Sequence, residues 1–373
     1  MHVAIDAREL AGRRTGVGRY LERLLVAWGR AAARTRHRFT VYSHAAVEGD
    51  WPLDLSRVVL PGAGGTRWEQ ATLAAALRRA RPDVLFAPAY TAPLLCRVPV
   101  VLTVHDVSFA AHPEWFRWRE GWRRRLLTRA AARRARMVLT VSEFSRQEIV
   151  ERLGVSPNRI RVIRHGLDGP GGGAPAERGA GPPLVLFVGS VLNRRHVPEL
   201  VEAVAIAASH VPGLRLVIAG DNRSWPRQDP AAVAAALGVG DRVEVRAFVS
   251  DEELWGLYAS AAVFVFLSEY EGFGLTPLEA LARGAPAVVL DTPVAREVYG
   301  RAVRYVARPD PATVAEAIVE LVTSREARQP LLDEASAVLS RYRWEDAAAA
   351  TLEAIEAAAL APPAGSDGGL TPV

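Results

Sequence analysis

Short apolar runs alternate with amphipathic stretches of helical length along most of the chain, and this alternation stops once and then restarts. Strand followed by helix, repeated, commits a chain to parallel sheets covered on both faces. In the first half the expected strands are Val3–Asp6, Phe39–Ser43, Val84–Ala87, Val100–Val104, Val138–Val141 and Ile160–Ile163, with helices such as Gly18–Arg34 and Glu69–Arg81 between them. The stretch from Ser142 to Gly154 carries its own punctuation: a serine suited to cap a first turn and a glycine suited to end a last one. Residues 166–183 read GLDGPGGGAPAERGAGPP, in which no apolar period survives, and they mark a linker. After it, strands are expected at Leu184–Val188, Leu214–Ala219, Val243–Arg246, Val263–Leu267, Ala287–Leu290 and Val303–Val306. The expected fold class is therefore α/β, with two Rossmann-like domains facing across a cleft. The first spans residues 1–165 and the second 184–345, followed by a C-terminal helix over 346–360 and a disordered tail over 361–373. Ligands of such sheets bind at the carboxyl ends of strands, beside helix N-termini, so the strand-to-helix loops are where function is sought.

Composition narrows the chemistry. A length of 373 residues suits two domains, and 50% hydrophobic with 23% charged residues suits a soluble globular chain rather than a disordered one. The single cysteine, Cys96, allows no internal disulfide and points to a reducing, cytoplasmic setting. The opening residues Met1-His2-Val3-Ala4-Ile5-Asp6 lack the basic and apolar regions of a secretory leader. The longest apolar stretch, Leu257 to Leu267, is short of the ~20 residues a membrane span needs. All 46 basic residues are arginine. Without lysine no Schiff base to pyridoxal phosphate and no P-loop lysine can exist. Any phosphate clamp must use arginine, backbone N–H groups or a metal.

The strongest motif is Ser268-Glu269-Tyr270-Glu271-Gly272-Phe273-Gly274-Leu275-Thr276-Pro277-Leu278-Glu279, which follows an expected strand and opens an expected helix. Gly272 and Gly274 permit close backbone approach, and a helix N-terminus there favours an anion. Glu271 and Glu279, eight residues apart, can each grip a diol. A second motif runs from Phe187 through Gly189 to Arg194-Arg195-His196, where two guanidinium groups at a strand end can fork onto a diphosphate. An Arg pair simply bathed in solvent is the competing reading. In the first half, Thr15-Gly16-Val17-Gly18-Arg19-Tyr20 links strand to helix but lacks the third glycine of a dinucleotide fingerprint. His105-Asp106 ends a strand and reads either as a substrate contact or as a buried structural pair. Metal-ligand spacings are missing, so no metal is expected, and the Gly-x-Ser-x-Gly elbow of a serine nucleophile is absent as well. Trp115, Trp118, Trp122 and Leu126 recur at helical spacing with arginines opposite. That stripe fits either a domain core or an anionic membrane surface. No recognised motif supports nucleic-acid binding.

The glutamate pair around Gly-Phe-Gly resembles the E-x7-E signature of retaining glycosyltransferases of the GT-B fold, group 1, glycosyltransferase family four. Thr15–Tyr20, Val104-His105-Asp106, Val141–Ser145, Ile163–Asp168 and Gly189–His196 fall where that family's segments lie, and the resemblance covers residues 1–345. It is similar to the bacterial mannosyltransferase-like branch that builds surface polysaccharides. The resemblance implies that Glu279 holds the ribose and Glu271 the donor sugar. Backbone N–H groups of Phe273, Gly274 and Leu275 would sit on sugar or diphosphate, with Gly272 and Gly189 shaping the turns. Arg194 and Arg195 would take the diphosphate, Gly16 would admit the donor, and His105 would touch the sugar near the reacting carbon. It further implies a metal-independent hexosyltransferase using a nucleotide-sugar donor, GDP-mannose by branch, with a glycan or lipid-linked acceptor. Departures from the pattern are Arg195 for a usual Lys, His196 for a common Asn, and Arg164-His165-Gly166-Leu167-Asp168 where Asn-Gly-Val-Asp is usual. A nucleotide-sugar sensor without transfer activity and a nucleotide-sugar epimerase are the rival readings.

Overall fold

The computed structural model describes residues 1–12, 14, 16–31, 37–51, 53–168 and 181–361. Thr15, most of the expected linker (169–180) and the expected tail beyond 361 lie outside the described residues, as does part of the expected helix extension toward Arg34. The chain forms two compact units. The first comprises Met1–Pro113, Trp118–Gly166 and the chain from Arg343 onward; the second comprises Glu114–Arg117 and Leu167–Tyr342.

The first unit holds a seven-stranded sheet made of β1 (His2–Asp6), β2 (Arg38–Ser43), β3 (Leu55–Val59), β4 (Val84–Ala87), β5 (Val100–Thr103), β6 (Met137–Thr140) and β7 (Ile160–Val162). Every pairing is parallel, in the order β3-β2-β1-β4-β5-β6-β7. The second unit holds a six-stranded sheet made of β8 (Leu184–Val188), β9 (Arg215–Ala219), β10 (Val243–Arg246), β11 (Val263–Phe266), β12 (Ala287–Leu290) and β13 (Arg304–Val306). It too is parallel, in the order β10-β9-β8-β11-β12-β13. The central strands read as continuous apolar runs because helices cover both faces; β4, β8, β11 and β12 are buried along their whole length. In each sheet the chain winds outward from one central strand and then returns to that strand's other side. The reversals fall between β1 and β4 and between β8 and β11. Such a reversal opens a crevice at the carboxyl strand ends.

Most expected strands are present within a residue or so, and Ser142 caps the helix Glu143–Leu153 by accepting from the Ser145 N–H at 3.0 Å, while Gly154 ends it at φ +66°. The edge strand β3 has no counterpart among the expected strands. It is half exposed with Arg57 at its centre, so it carries no apolar run to betray it. The expected helix Glu69–Arg81 is a π-helical turn, Trp68–Leu73, running into an α-helix, Ala74–Ala80. The final helix, Trp344–Leu360, packs into the first unit: Trp28 Nε1 donates to the Ala348 carbonyl at 2.8 Å, and Ile355 and Ala347 share a core with Leu21, Leu24 and Trp28.

The helix Trp118–Arg134 corrects one expectation. Its core-facing positions are the small residues Gly121, Thr128, Ala131 and Ala132, which let it lie close to the unit. Of the expected stripe, Trp118, Trp122 and Leu126 are 74%, 64% and 51% exposed and do not pack on the core, while Trp115 precedes the helix in the turn Pro113–Trp115. Among the described residues no helix is long and apolar enough to cross a membrane.

Candidate active site

Both strong motifs lie in the second unit, in loops leaving β8 and β11, the two strands that flank its reversal. Gly189 follows β8 at φ +138°, and a Cβ there would come 2.7 Å from Arg195 Nη1. Glycine is therefore what lets the Arg195 side chain fold back beneath the strand end. The turn Asn193–Arg195 delivers Arg195 onto Glu271 from the neighbouring loop. Arg195 Nε donates to Glu271 Oε1 at 2.8 Å, Nη2 lies 2.7 Å from the same oxygen, and Nη1 donates to the Ser190 carbonyl at 3.0 Å. The Ser268 hydroxyl donates to Oε1 as well, at 2.9 Å. The contacts to Glu271 thus converge on one carboxylate oxygen, leaving Oε2 with no hydrogen-bond partner among the described residues. Of the guanidinium's five N–H donors, two remain uncommitted.

Arg194 differs. Its guanidinium lies over the Trp115 ring at 5.7 Å, and its buried Nε has no hydrogen-bond partner among the described residues. Trp115 also meets the Tyr270 ring edge-on at 6.4 Å. The two loops are laced together beside these arginines. The Glu269 N–H donates to the Arg194 carbonyl at 2.9 Å, and His196 sits between Glu199 at 3.0 Å and Glu269 at 2.8 Å. Burial alone would lower the His196 pKa, but its two carboxylate partners outweigh burial and hold it above the ordinary histidine value. His196 adopts φ +50°, a conformation a non-glycine residue takes at a cost, and these contacts keep it there.

Beyond Glu271, Gly272 and Phe273 are buried, and the Phe273 ring meets Tyr342 edge-on at 5.2 Å, anchoring the loop to the unit's core. Gly274 starts the helix Leu275–Ala282 at φ +86° with no side-chain cap, and a Cβ there would collide with the Tyr299 hydroxyl. That hydroxyl donates to the Gly274 carbonyl at 2.9 Å. Burial, followed by the nearby Glu271 charge, pushes the Tyr299 pKa well above its ordinary value, so it stays a neutral donor. With no capping oxygen at Gly274, the first-turn N–H groups are left for an anion. The Thr276 hydroxyl, buried in the same turn, also lacks a hydrogen-bond partner among the described residues. One turn further on, Glu279 is oriented by the Tyr258 hydroxyl, which donates to Oε2 at 2.7 Å.

Gly16 and His105 belong to the first unit. Gly16 opens the helix Gly16–Arg30, is exposed, and a Cβ there would meet nothing within 4 Å. Gly18, its partner in the short glycine motif, is needed for packing, because a Cβ would strike the Glu9 carbonyl. His105 leaves β5 and bonds the Pro88 carbonyl through Nε2 at 2.9 Å, which makes Nε2 the protonated nitrogen of the neutral ring. Its ring stacks on His165 at 5.5 Å and meets Tyr20 edge-on at 5.0 Å. The neighbouring Asp106 carboxylate accepts from the Tyr90 hydroxyl at 2.9 Å and the Ser108 N–H at 2.8 Å. Burial lowers the pKa of His105, and burial followed by the His105 charge lowers that of His165 further.

These two depressed values set a pH dependence. The unfolded chain binds protons at its histidines near pH 6.5 while the folded pair stays neutral, so stability is full above that pH and falls as pH drops below it. The loss approaches about 1.4 kcal/mol per pH unit for each proton taken up only on unfolding. Denaturant titrations between about pH 7 and pH 5 should show a shallower acid-side loss in His165→Phe than in the wild type; identical slopes would contradict this account.

Other contributors carry no sequence signal of their own. Ser268, Tyr258, Tyr299 and Thr276 act across long sequence separations or through a hydroxyl that no spacing advertises. A buried cluster at the carboxyl end of β1 is also absent from the sequence expectations: Arg8 donates to Asp6 at 2.6 Å and bonds Glu69, which also accepts from the Thr91 hydroxyl at 2.5 Å. Its one available signal is an Asp-x-Arg at a strand end. Among the described residues no group of three or more His, Cys, Asp or Glu could hold a metal ion.

Comparison with known proteins identifies the family and the fold. The family model for glycosyl transferases group 1 matches residues 175–357, and that for glycosyltransferase family 4 matches residues 15–168. The chain belongs to this family of group 1, family 4 glycosyltransferases. An MMP alpha-(1→4)-mannosyltransferase of Mycolicibacterium hassiacum is 30% identical over 285 residues, which is 70% of this chain and 66% of that protein. The GDP-mannose:cellobiosyl-diphosphopolyprenol alpha-mannosyltransferase of Xanthomonas campestris is 28% identical over 201 residues, 52% of this chain and 50% of the relative, so the match spans about half of that protein's length. The crystal structure of HepE from Anabaena, in complex with UDP and glucose, superposes with a TM-score of 0.73 at 19% identity, covering 95% of this chain and 99% of that one. The two Rossmann-like units are those of the GT-B fold.

Proposed function

We propose that this chain transfers a hexose from a nucleoside-diphosphate sugar to an acceptor hydroxyl, with retention at the anomeric carbon and without a metal. The observation that carries this reading is the pairing of Arg195 with one oxygen of Glu271, beside the uncapped helix Leu275–Ala282. Glu271 Oε2 is left for a sugar hydroxyl, and Glu279, held by Tyr258, is oriented to take a ribose diol. As the bond to the diphosphate breaks, negative charge builds on the leaving oxygen. Arg194, the spare donors of Arg195 and the first-turn N–H groups stabilise that charge without reorganising. In retention, the acceptor hydroxyl attacks the face the diphosphate leaves, and the departing phosphate oxygen takes its proton. GDP-mannose is the proposed donor, supported by the donor in the name of the Xanthomonas relative. Bacterial surface polysaccharide or glycolipid synthesis is the proposed setting.

Incubation with GDP-mannose, UDP-glucose and other donors, read by mass spectrometry and NMR, tests the reading. The expected result is release of nucleoside diphosphate together with an axial glycoside from GDP-mannose. A sensor would release nothing, and an epimerase would yield an isomeric sugar without acceptor.

The exposed Trp118, Trp122 and Leu126, flanked by Arg119, Arg123 and Arg125, support peripheral attachment to an anionic membrane. Trp118→Ala/Trp122→Ala should abolish co-sedimentation with phosphatidylglycerol vesicles; undiminished binding would end this part of the proposal.

A further inference from the structure

A pocket of about 460 Å³ lies in the first unit at the amino ends of β5, β6 and β7, the opposite end of the sheet from the loop that carries His105. Four arginines line it: Arg97 from the segment entering β5, Arg134 and Arg136 from the segment entering β6, and Arg159 from the turn entering β7. No acidic residue is among its lining residues. That is unexpected in a chain whose 41 acidic residues nearly match its 46 basic ones. Part of the cluster has an internal explanation. Arg159 Nη2 donates to the Ala132 carbonyl at 3.2 Å and the Arg133 carbonyl at 2.9 Å, capping the helix Trp118–Arg134, and Arg134 sits at that helix's negative end. Arg97 has no such role, since it comes from a different segment and adds a further positive charge to the same space. Four arginines around one space with no carboxylate among its lining give that space a positive potential, and the fork geometry of a guanidinium matches phosphate oxygens. Pro93 and Val98 contribute an apolar wall, so the pocket suits a charged head with a less polar body.

We propose that this pocket binds a phosphate-bearing molecule, at a site distinct from the loops at the carboxyl ends of the same strands. Its ligand is either a soluble phosphorylated compound or the headgroup of an anionic phospholipid, and the helix that supplies Arg134 also carries the exposed tryptophan stripe.

The test uses the full chain and two probes: inorganic pyrophosphate in calorimetry, and phosphatidylglycerol against phosphatidylcholine vesicles in sedimentation. Arg97→Ala/Arg134→Ala removes two exposed side chains, and circular dichroism checks that the fold is kept. Arg301→Ala/Arg325→Ala removes equal charge from exposed positions in the second unit. The double change at the pocket should weaken binding of at least one probe about a hundredfold, roughly tenfold for each charge-assisted hydrogen bond removed, while the control pair leaves it intact. Weakening confined to pyrophosphate identifies a soluble ligand, and weakening on phosphatidylglycerol vesicles identifies a headgroup. Pyrophosphate binding that survives at Arg194 and Arg195 is separated by repeating the titration in Arg194→Ala/Arg195→Ala, which keeps the pocket. If neither probe binds, or if both bind the Arg97→Ala/Arg134→Ala variant as tightly as the wild type, the proposal is overturned.

Discussion

Arg195→Ala should lower kcat by about 10²–10³-fold while nucleotide affinity falls far less. The reason lies in where the guanidinium spends its donors. It grips Glu271 Oε1 through Nε and Nη2 and the Ser190 carbonyl through Nη1, so it is held in place before any donor arrives. Pre-positioned charge acts on the transition state, where the diphosphate becomes more negative, more than on the ground state. The substitution also strips Glu271 of its cationic partner and leaves only Ser268 on Oε1. Arg195→Lys should recover part of the loss, because an ammonium keeps the charge but cannot fork between Glu271 and a phosphate. Steady-state kinetics with the preferred donor checks this. A variant that raises KM alone would mean that Arg195 merely binds.

Glu279→Ala should weaken binding of the nucleoside diphosphate about a hundredfold, the equivalent of roughly 3 kcal/mol from losing charge-assisted bonds to a diol. The Tyr258 hydroxyl bond at 2.7 Å fixes the carboxylate's rotation. Tyr258→Phe should therefore reproduce a small part of the loss, about 1 kcal/mol, by loosening that orientation. Calorimetric titration of each variant separates the two. Equal affinity in Glu279→Ala and the wild type would remove Glu279 from the nucleotide site.

Much of the architecture is legible in the sequence because parallel strands buried on both faces announce themselves as unbroken apolar runs. Val84–Ala87 and Leu184–Val188 are the clear instances. Local chemistry is equally readable at Ser142 and Gly154, where capping depends on near neighbours alone. The strand Leu55–Val59 is not, since an edge strand with Arg57 at its middle satisfies no apolar pattern. The tryptophan spacing in Trp118–Arg134 identifies a helix face but not its direction, which is set by the small residues that pack beneath it. In the site, the positions of Glu271, Glu279 and the arginines are visible as loop motifs. Their mutual geometry is not. Arg195 and Glu271 meet across 76 positions of sequence, which the return of the chain between β8 and β11 closes, and Tyr299 reaches Gly274 across 25, which the parallel pairing of β11 with β12 closes.

The most direct measurement is a crystal structure of the chain soaked with its nucleoside-diphosphate donor. Ribose hydroxyls are expected on Glu279, a sugar hydroxyl on Glu271 Oε2, and diphosphate oxygens within hydrogen-bond distance of Arg194, Arg195 and the first-turn N–H groups after Gly274. A donor seated elsewhere on the second unit, with the Arg195–Glu271 pair untouched and unapproached, would contradict this assignment.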